Sequence, residues 1–232
     1  MTCTRSLLAI LFGVFAASGL SAQKYPPPFP RDGIVKVFEN ERVIVWKGIA
    51  GFKSRPTVMH EHTLDFAGVF LDDGGIPKIT LPDGSVRVAT TPTSRGITTA
   101  GTKGTIHIEE QLKDGIRVVV IELKDGKPAA SDSAAALPTS FPRAGATLER
   151  ETDRLSIWEY QWLPSRRVPL HLQNRDAVIV PLESGNVRFT PDKGQPRSVT
   201  LTFGDPLFIA RGESFSEEAT EGTPEAIVIE LK

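Results

Sequence analysis

Beyond about residue 33 the apolar residues fall in short runs, many of them alternating with polar ones, and no stretch sustains a helical period. In the N-terminal half, Val43–Trp46, Val58–His62, Phe66–Leu71, Ile76–Leu81, Ser85–Ala89, Thr105–Glu109 and Arg117–Leu123 read as strands rich in Val, Ile and Thr. Asp72–Gly75, Pro82–Gly84 and Lys113–Gly115 separate them with residues that start tight turns or accept positive φ. About seven such strands in roughly ninety residues cannot leave their edges open to other chains, so the pattern predicts an all-β barrel or sandwich.

The pattern then occurs a second time. Glu41-Arg-Val-Ile-Val-Trp46 matches Asp153-Arg-Leu-Ser-Ile-Trp158, and Val118–Lys124 matches Ala226–Lys232. Between these ends His60 falls opposite His171, Asp65 opposite Asp176, Gly74 opposite Gly185, Gly96 opposite Gly204 and Gly104 opposite Gly212. A duplicated unit is therefore expected, over residues 33–124 and 146–232, joined by a linker over 125–145 whose composition is that of a flexible connector. Tyr25–Pro30 reads as an extended polyproline lead-in.

The first 22 residues do not belong to this pattern. Arg5 precedes an apolar run, Leu7–Ala17, and small residues follow over Ser18–Ala22, which together predict a cleaved signal peptide and a periplasmic or secreted product. The run is shorter than the ~20 residues a membrane-spanning helix needs, so no membrane anchor is expected after cleavage. The single cysteine, Cys3, lies within this segment, which removes disulfides and thiolate chemistry from the mature chain. A formal charge of −1 with no basic stripe argues against nucleic-acid binding.

Chemistry concentrates on the histidines. One residue separates His60 from His62 in a strand-like run, so the period of two places both rings on one face. Antiparallel folding can bring His107 beside them, and three neutral imidazoles facing one point suit a divalent transition metal: Fe, Mn, Zn, Cu or Ni. Glu109 shares the face of His107 and is a candidate acid or base. No G-x-S-x-G turn is present to support a serine hydrolase.

At these residues the chain resembles the cupins, whose motifs are G-x5-H-x-H-x(3 or 4)-E-x6-G and G-x5-P-x-G-x2-H-x3-N. Gly96, Gly104 and His107 keep the spacing of the second motif, with Thr102 in the proline slot and Gln111 in the asparagine slot. In the first motif His60, His62 and Gly74 are in register, Ser54 replaces the leading glycine, and Ala67 or Phe66 stands where glutamate would be. The resemblance implies two tandem double-stranded β-helix (jelly-roll) barrels, with a metal held by His60, His62 and His107 in the first and no carboxylate ligand from the glutamate slot. Asp65, at an odd offset from His62, is expected to be a turn residue instead.

In the second copy Gln173 and Phe215 replace the second and third histidines, and Val178 stands in the glutamate slot, so that barrel is expected to be metal-free. Its mouth, lined by His171, Gln173 and Phe215, is either a structural partner or a pocket for a small ligand. Trp46 and Trp158 read as core fillers, and Trp162 has no counterpart. Two functions fit: a metal-dependent enzyme acting on a small molecule (a dioxygenase, isomerase or lyase), or a non-catalytic binding, sensing or structural protein with a vestigial site. A homodimer is compatible with either.

Overall fold

The computed structural model describes residues 24–53, 55–126, 137–164 and 166–232. The expected signal peptide, Ser54 and residues 127–136 of the expected linker lie outside them. The described residues form strands and no helix, hence no helix able to cross a membrane. The first half contains β1 (Ile34–Glu39), β2 (Val43–Ile49), β3 (His60–Glu61), β4 (Asp65–Phe70), β5 (Pro77–Thr80), β6 (Val86–Val88), β7 (Thr98–Gly101), β8 (Ile106–Gln111) and β9 (Arg117–Leu123). The second contains β10 (Thr147–Glu151), β11 (Leu155–Gln161), β12 (Val168–Leu172), β13 (Ala177–Glu183), β14 (Gly185–Pro191), β15 (Arg197–Leu201), β16 (Leu207–Ile209), β17 (Ser214–Glu221) and β18 (Glu225–Leu231).

Each half is two antiparallel sheets. The first has the orders β1-β2-β9-β4-β7 and β3-β8-β5-β6, and the second repeats them strand for strand as β10-β11-β18-β13-β16 and β12-β17-β14-β15. The sequence pattern under-counts the strands of a half by two, β1 and β7. β1 is a sheet edge whose Val35 and Val37 face solvent, so its apolar alternation is not a core signal. β7 is Thr98-Thr-Ala-Gly101, without a large apolar residue. It lies flat beneath Phe66, whose ring sits so close that a Cβ on Gly101 would approach it to 2.4 Å.

The run Val118–Leu123 lacks the polar alternation of a half-solvated strand because β9 is buried on both faces. Val118 and Val120 face the interior of their own half, whereas Val119, Ile121 and Leu123 join a core shared with Ile157, Val178 and Ile229 of the second half. The two five-stranded sheets thus pack on one another. Their contacts are reciprocal: Asp65 Oδ2 pairs with Arg154 at 3.1 Å, and Asp176 Oδ2 with Arg42 at 3.1 Å. Leu182 packs against Gly96, and Leu71 against Gly204. Asp65 opens β4, and its Oδ1 also accepts the Lys103 backbone N–H at 2.8 Å, so it ties a loop and the other half rather than facing the histidines.

Repeated contacts begin ahead of residues 33 and 146. Phe29 stacks on Trp46 with ring centroids 5.1 Å apart, and Phe141 stacks on Trp158 at 5.3 Å. Trp46 and Trp158 each donate an indole N–H to a buried glutamate, Glu122 and Glu230 respectively. The proline-rich lead-in is docked, with Pro26 O accepting the Glu61 N–H at 2.9 Å beside β3. Phe29-Pro-Arg31 and Phe141-Pro-Arg143 therefore belong to the repeat, and each arginine reaches the interior of its half.

Candidate metal centre

His60 and His107 stand directly opposite one another in the β3–β8 ladder. The ladder continues past β3 through His62 N–H to Thr105 O at 2.9 Å, so His62 returns to the face of His60 two residues on. By the same period Glu109 follows His107. The three imidazole centroids lie 4.7, 5.1 and 5.3 Å apart, and one ligand atom from each of His60, His62, His107 and Glu109 falls within 4.8 Å of all the others. Sequence reasoning placed the three histidines together. It read Glu109 as a candidate acid or base, and the fold places its carboxylate beside the three ring nitrogens, where all four could hold one ion.

The donor set fits a cation. His60 Nδ1 lies 2.9 Å from Val58 O, and since a carbonyl only accepts, the proton is on Nδ1 and the Nε2 lone pair is free. That Nε2 is buried without a hydrogen-bond partner. His62 Nε2 and His107 Nε2 face each other at 3.4 Å, and His107 Nε2 is 3.4 Å from Glu109 Oε1. Ring nitrogens converging in this way, with their second nitrogens tied to backbone or packed, are what a divalent ion satisfies.

Burial disfavours the charged form of two of the rings: desolvation depresses His60, and drives His62 down to about 3. Burial also works to raise the Glu109 carboxyl, but the hydrogen bond to His107 and the charge of Arg31 outweigh it and hold the group well below the usual carboxylate range. Arg31 Nη1 donates to Glu109 Oε2 at 2.8 Å and Nη2 to Ala50 O at 3.0 Å. In the glutamate slot of the first motif, Phe66 stacks on His62 at 3.8 Å and fixes that ring. A cavity of about 560 Å³ opens onto His62, His107, Glu109 and Arg31, walled by Phe29, Phe66, Phe70, Ile79, Val118 and Val120.

The corresponding place in the second half, expected to be either a structural partner or a pocket, is a packed interior. His171 Nδ1 meets Pro169 O at 2.9 Å, as His60 meets Val58, but its Nε2 lies 3.1 Å from Glu217 Oε1. Glu217 is the counterpart of Glu109. It accepts from Arg143 Nη1 at 2.8 Å and from Trp162 Nε1, and these cationic and hydrogen-bonding partners outweigh burial to bring it down to about 2. Gln173 is satisfied on both sides, by Ser140 Oγ at 2.7 Å and Arg175 O at 2.6 Å. Phe215, in the place of His107, packs between His171 and Phe189, although it also borders a surface groove near Asp192.

The difference follows from a few substitutions at matched register. Trp162 stands where the first half has Ala50, Phe189 where it has Ile79, and Phe215 where it has His107. Three aromatic rings thereby fill space that the other half leaves open beside its arginine–glutamate pair. Neither arginine is among the sequence candidates, because both lie ahead of the repeat units 33–124 and 146–232. The tripeptide Phe-Pro-Arg at 29–31 and 141–143 was the available signal.

No family model matches the chain, and no curated protein matches it. Solved structures do. A cupin 2 conserved barrel domain protein from Leptotrichia buccalis is similar at 13% identity, over 86% of this chain and 88% of that one, with a TM-score of 0.53. AerE from Microcystis aeruginosa is similar at 12% identity, over 90% and 98%, with a TM-score of 0.59. Oxalate decarboxylase from Bacillus subtilis, whose Mn(II) centres have been characterised, is similar at 10% identity, over 86% and 72%, with a TM-score of 0.59. At such identities the likeness speaks for the fold: this chain has the cupin fold, in two copies.

Proposed function

We propose that the chain is an exported, divalent-metal-dependent enzyme whose first barrel binds a small molecule, while its second barrel is a metal-free scaffold. One contrast carries the reading. Two copies of one site each set a histidine beside an arginine-paired glutamate: one is closed over by Trp162, Phe189 and Phe215, while the other brings three imidazoles and the glutamate within 4.8 Å of one another beside an open cavity.

His60, His62, His107 and Glu109 would hold the ion. When bound it supplies Lewis acidity to a substrate oxygen, the common ground of the dioxygenase, isomerase and lyase chemistries that three histidines and a carboxylate serve. The chain's own residues do the rest. Arg31 keeps one Glu109 oxygen engaged and the other directed at His107, Phe66 locks the His62 ring, and the apolar walls exclude water from the reacting end. Among Fe, Mn, Zn, Cu and Ni, the Mn(II) of the oxalate decarboxylase supports manganese. The apolar run ahead of residue 23 supports export to the periplasm or beyond. The packed second half supports a structural role there.

Elemental analysis of Mn(II)-loaded protein tests this. About one ion per chain is expected, and His107→Phe, which installs the residue that the second half tolerates, is expected to lower it at least about tenfold with the β signature in circular dichroism unchanged. Full metal content in that variant would sink the assignment. Loaded protein that binds small carbonyl compounds without turning any over would shift the reading to a sensing module.

A further inference from the structure

In the second half both oxygens of Glu217 are engaged, by Arg143, His171 and Trp162, and the residue is buried. In the first half Ala50 replaces Trp162, so the matching ion pair faces the cavity. The Glu109 side chain is 29% exposed against 5% for Glu217, and Arg31 18% against 11% for Arg143. The charge balance at this floor is lopsided once an ion is present. Arg31 and Glu109 already neutralise each other, Glu110 is neutralised by Lys78 at 2.8 Å, and a divalent ion then adds positive charge with nothing on the walls to answer it. Above the floor the lining is Phe29, Phe66, Phe70, Ile79, Val118 and Val120, which offers no charge at all.

We infer that the first-half pocket selects a small monocarboxylic acid with an apolar body. Its carboxylate is held between the ion and the Arg31 guanidinium, and its body lies among the phenyl and valine walls. This rests on the metal reading above. A neutral ligand leaves the excess charge desolvated and unanswered, and a compact dianion leaves the apolar walls wet. Arg31 is thus a specificity-determining residue as well as the partner of Glu109.

The test uses the Mn(II)-loaded full chain, with metal content measured first, and isothermal titration with 3-phenylpropanoate and its neutral isostere 3-phenylpropanamide. The acid is expected to bind roughly tenfold or more tightly than the amide. Arg31→Gln should weaken the acid more than the amide. Ile79→Phe, which borrows the bulk of Phe189, should weaken the acid without changing metal content. Equal affinity for acid and amide, or no binding of the acid by metal-loaded protein, overturns the proposal. A chain that takes up no metal overturns instead the metal reading beneath it.

Discussion

Arg143 is the cation that answers the buried Glu217 carboxylate in the packed second half, and replacing it by methionine tests that role directly. Its guanidinium donates to Glu217 at 2.8 Å, with the two side chains 11% and 5% exposed, and lies 3.9 Å from the Tyr160 ring centroid. Methionine keeps an apolar stem of similar length while removing the charge. Glu217 is then a buried carboxylate with Trp162 and His171 as its remaining partners. Breaking one side of a buried ion pair costs about 3–5 kcal/mol, and loss of the stack over Tyr160 adds about 1 kcal/mol. A total of about 4–6 kcal/mol is a large share of the ~5–15 kcal/mol that holds a typical domain together. Arg143→Met with Glu217→Gln removes both charges and should recover most of the loss, because the penalty lies in the uncompensated charge rather than in a missing contact. Urea unfolding at pH 7, followed by tryptophan fluorescence, measures both variants. A single variant that loses less than about 1 kcal/mol, or a double variant as unstable as the single, would refute the idea that the guanidinium holds the buried carboxylate in its charged form.

Other expectations follow from the same structure. Glu217 is brought down from 4.5 to about 2, so the stability it contributes is fully present above pH 4.5 and is lost as pH falls through 2, a total of about 3 kcal/mol. The gap between the unfolding midpoints of the parent and Glu217→Gln should therefore narrow on acidification from pH 6 to pH 2, and a constant gap would contradict this. Trp162→Ala removes a side chain 1% exposed and should cost about 3–5 kcal/mol. The hole it leaves beside Glu217 should admit indole, seen as a rise in melting temperature that the parent does not show. Gly96→Ala and Gly204→Ala place a Cβ at positive φ and at 2.7 and 2.8 Å from Leu182 and Leu71, and each should cost about 1–3 kcal/mol. Gly104→Ala, also at positive φ but with nothing within 4 Å, should cost less; equal losses would mean that the packing between halves contributes nothing.

Several properties were legible in the chain because they are local or repeat. Strand periodicity puts His60 and His62 on one face whatever the rest of the fold does. The duplication shows itself because His171, Asp176 and Gly185 keep their spacing from one another. The third imidazole was reachable only through the spacing of Gly96, Gly104 and His107, and the ladder that seats His107 opposite His60 is what makes that spacing meaningful. Strand β7 was illegible for the opposite reason: its fit depends on smallness beneath Phe66, and small residues leave no hydrophobic signal.

Tertiary structure alone decided the rest. Arg31 and Glu109 are 78 residues apart, and nothing in either neighbourhood announces the other. Whether a histidine and a glutamate sit in an open site or a closed core turns on whether Ala50 or Trp162 stands near them, and volume at one position is invisible to periodicity. The odd offset of Asp65 from His62 shows that it does not face the histidines, but not that its partner, Arg154, belongs to the other half. Sequence by itself determines what repeats along a strand, since backbone geometry imposes that period everywhere. Which side chains meet across sheets, and what space they leave between them, is set by packing that couples distant positions, and that is where this protein keeps the difference between its two barrels.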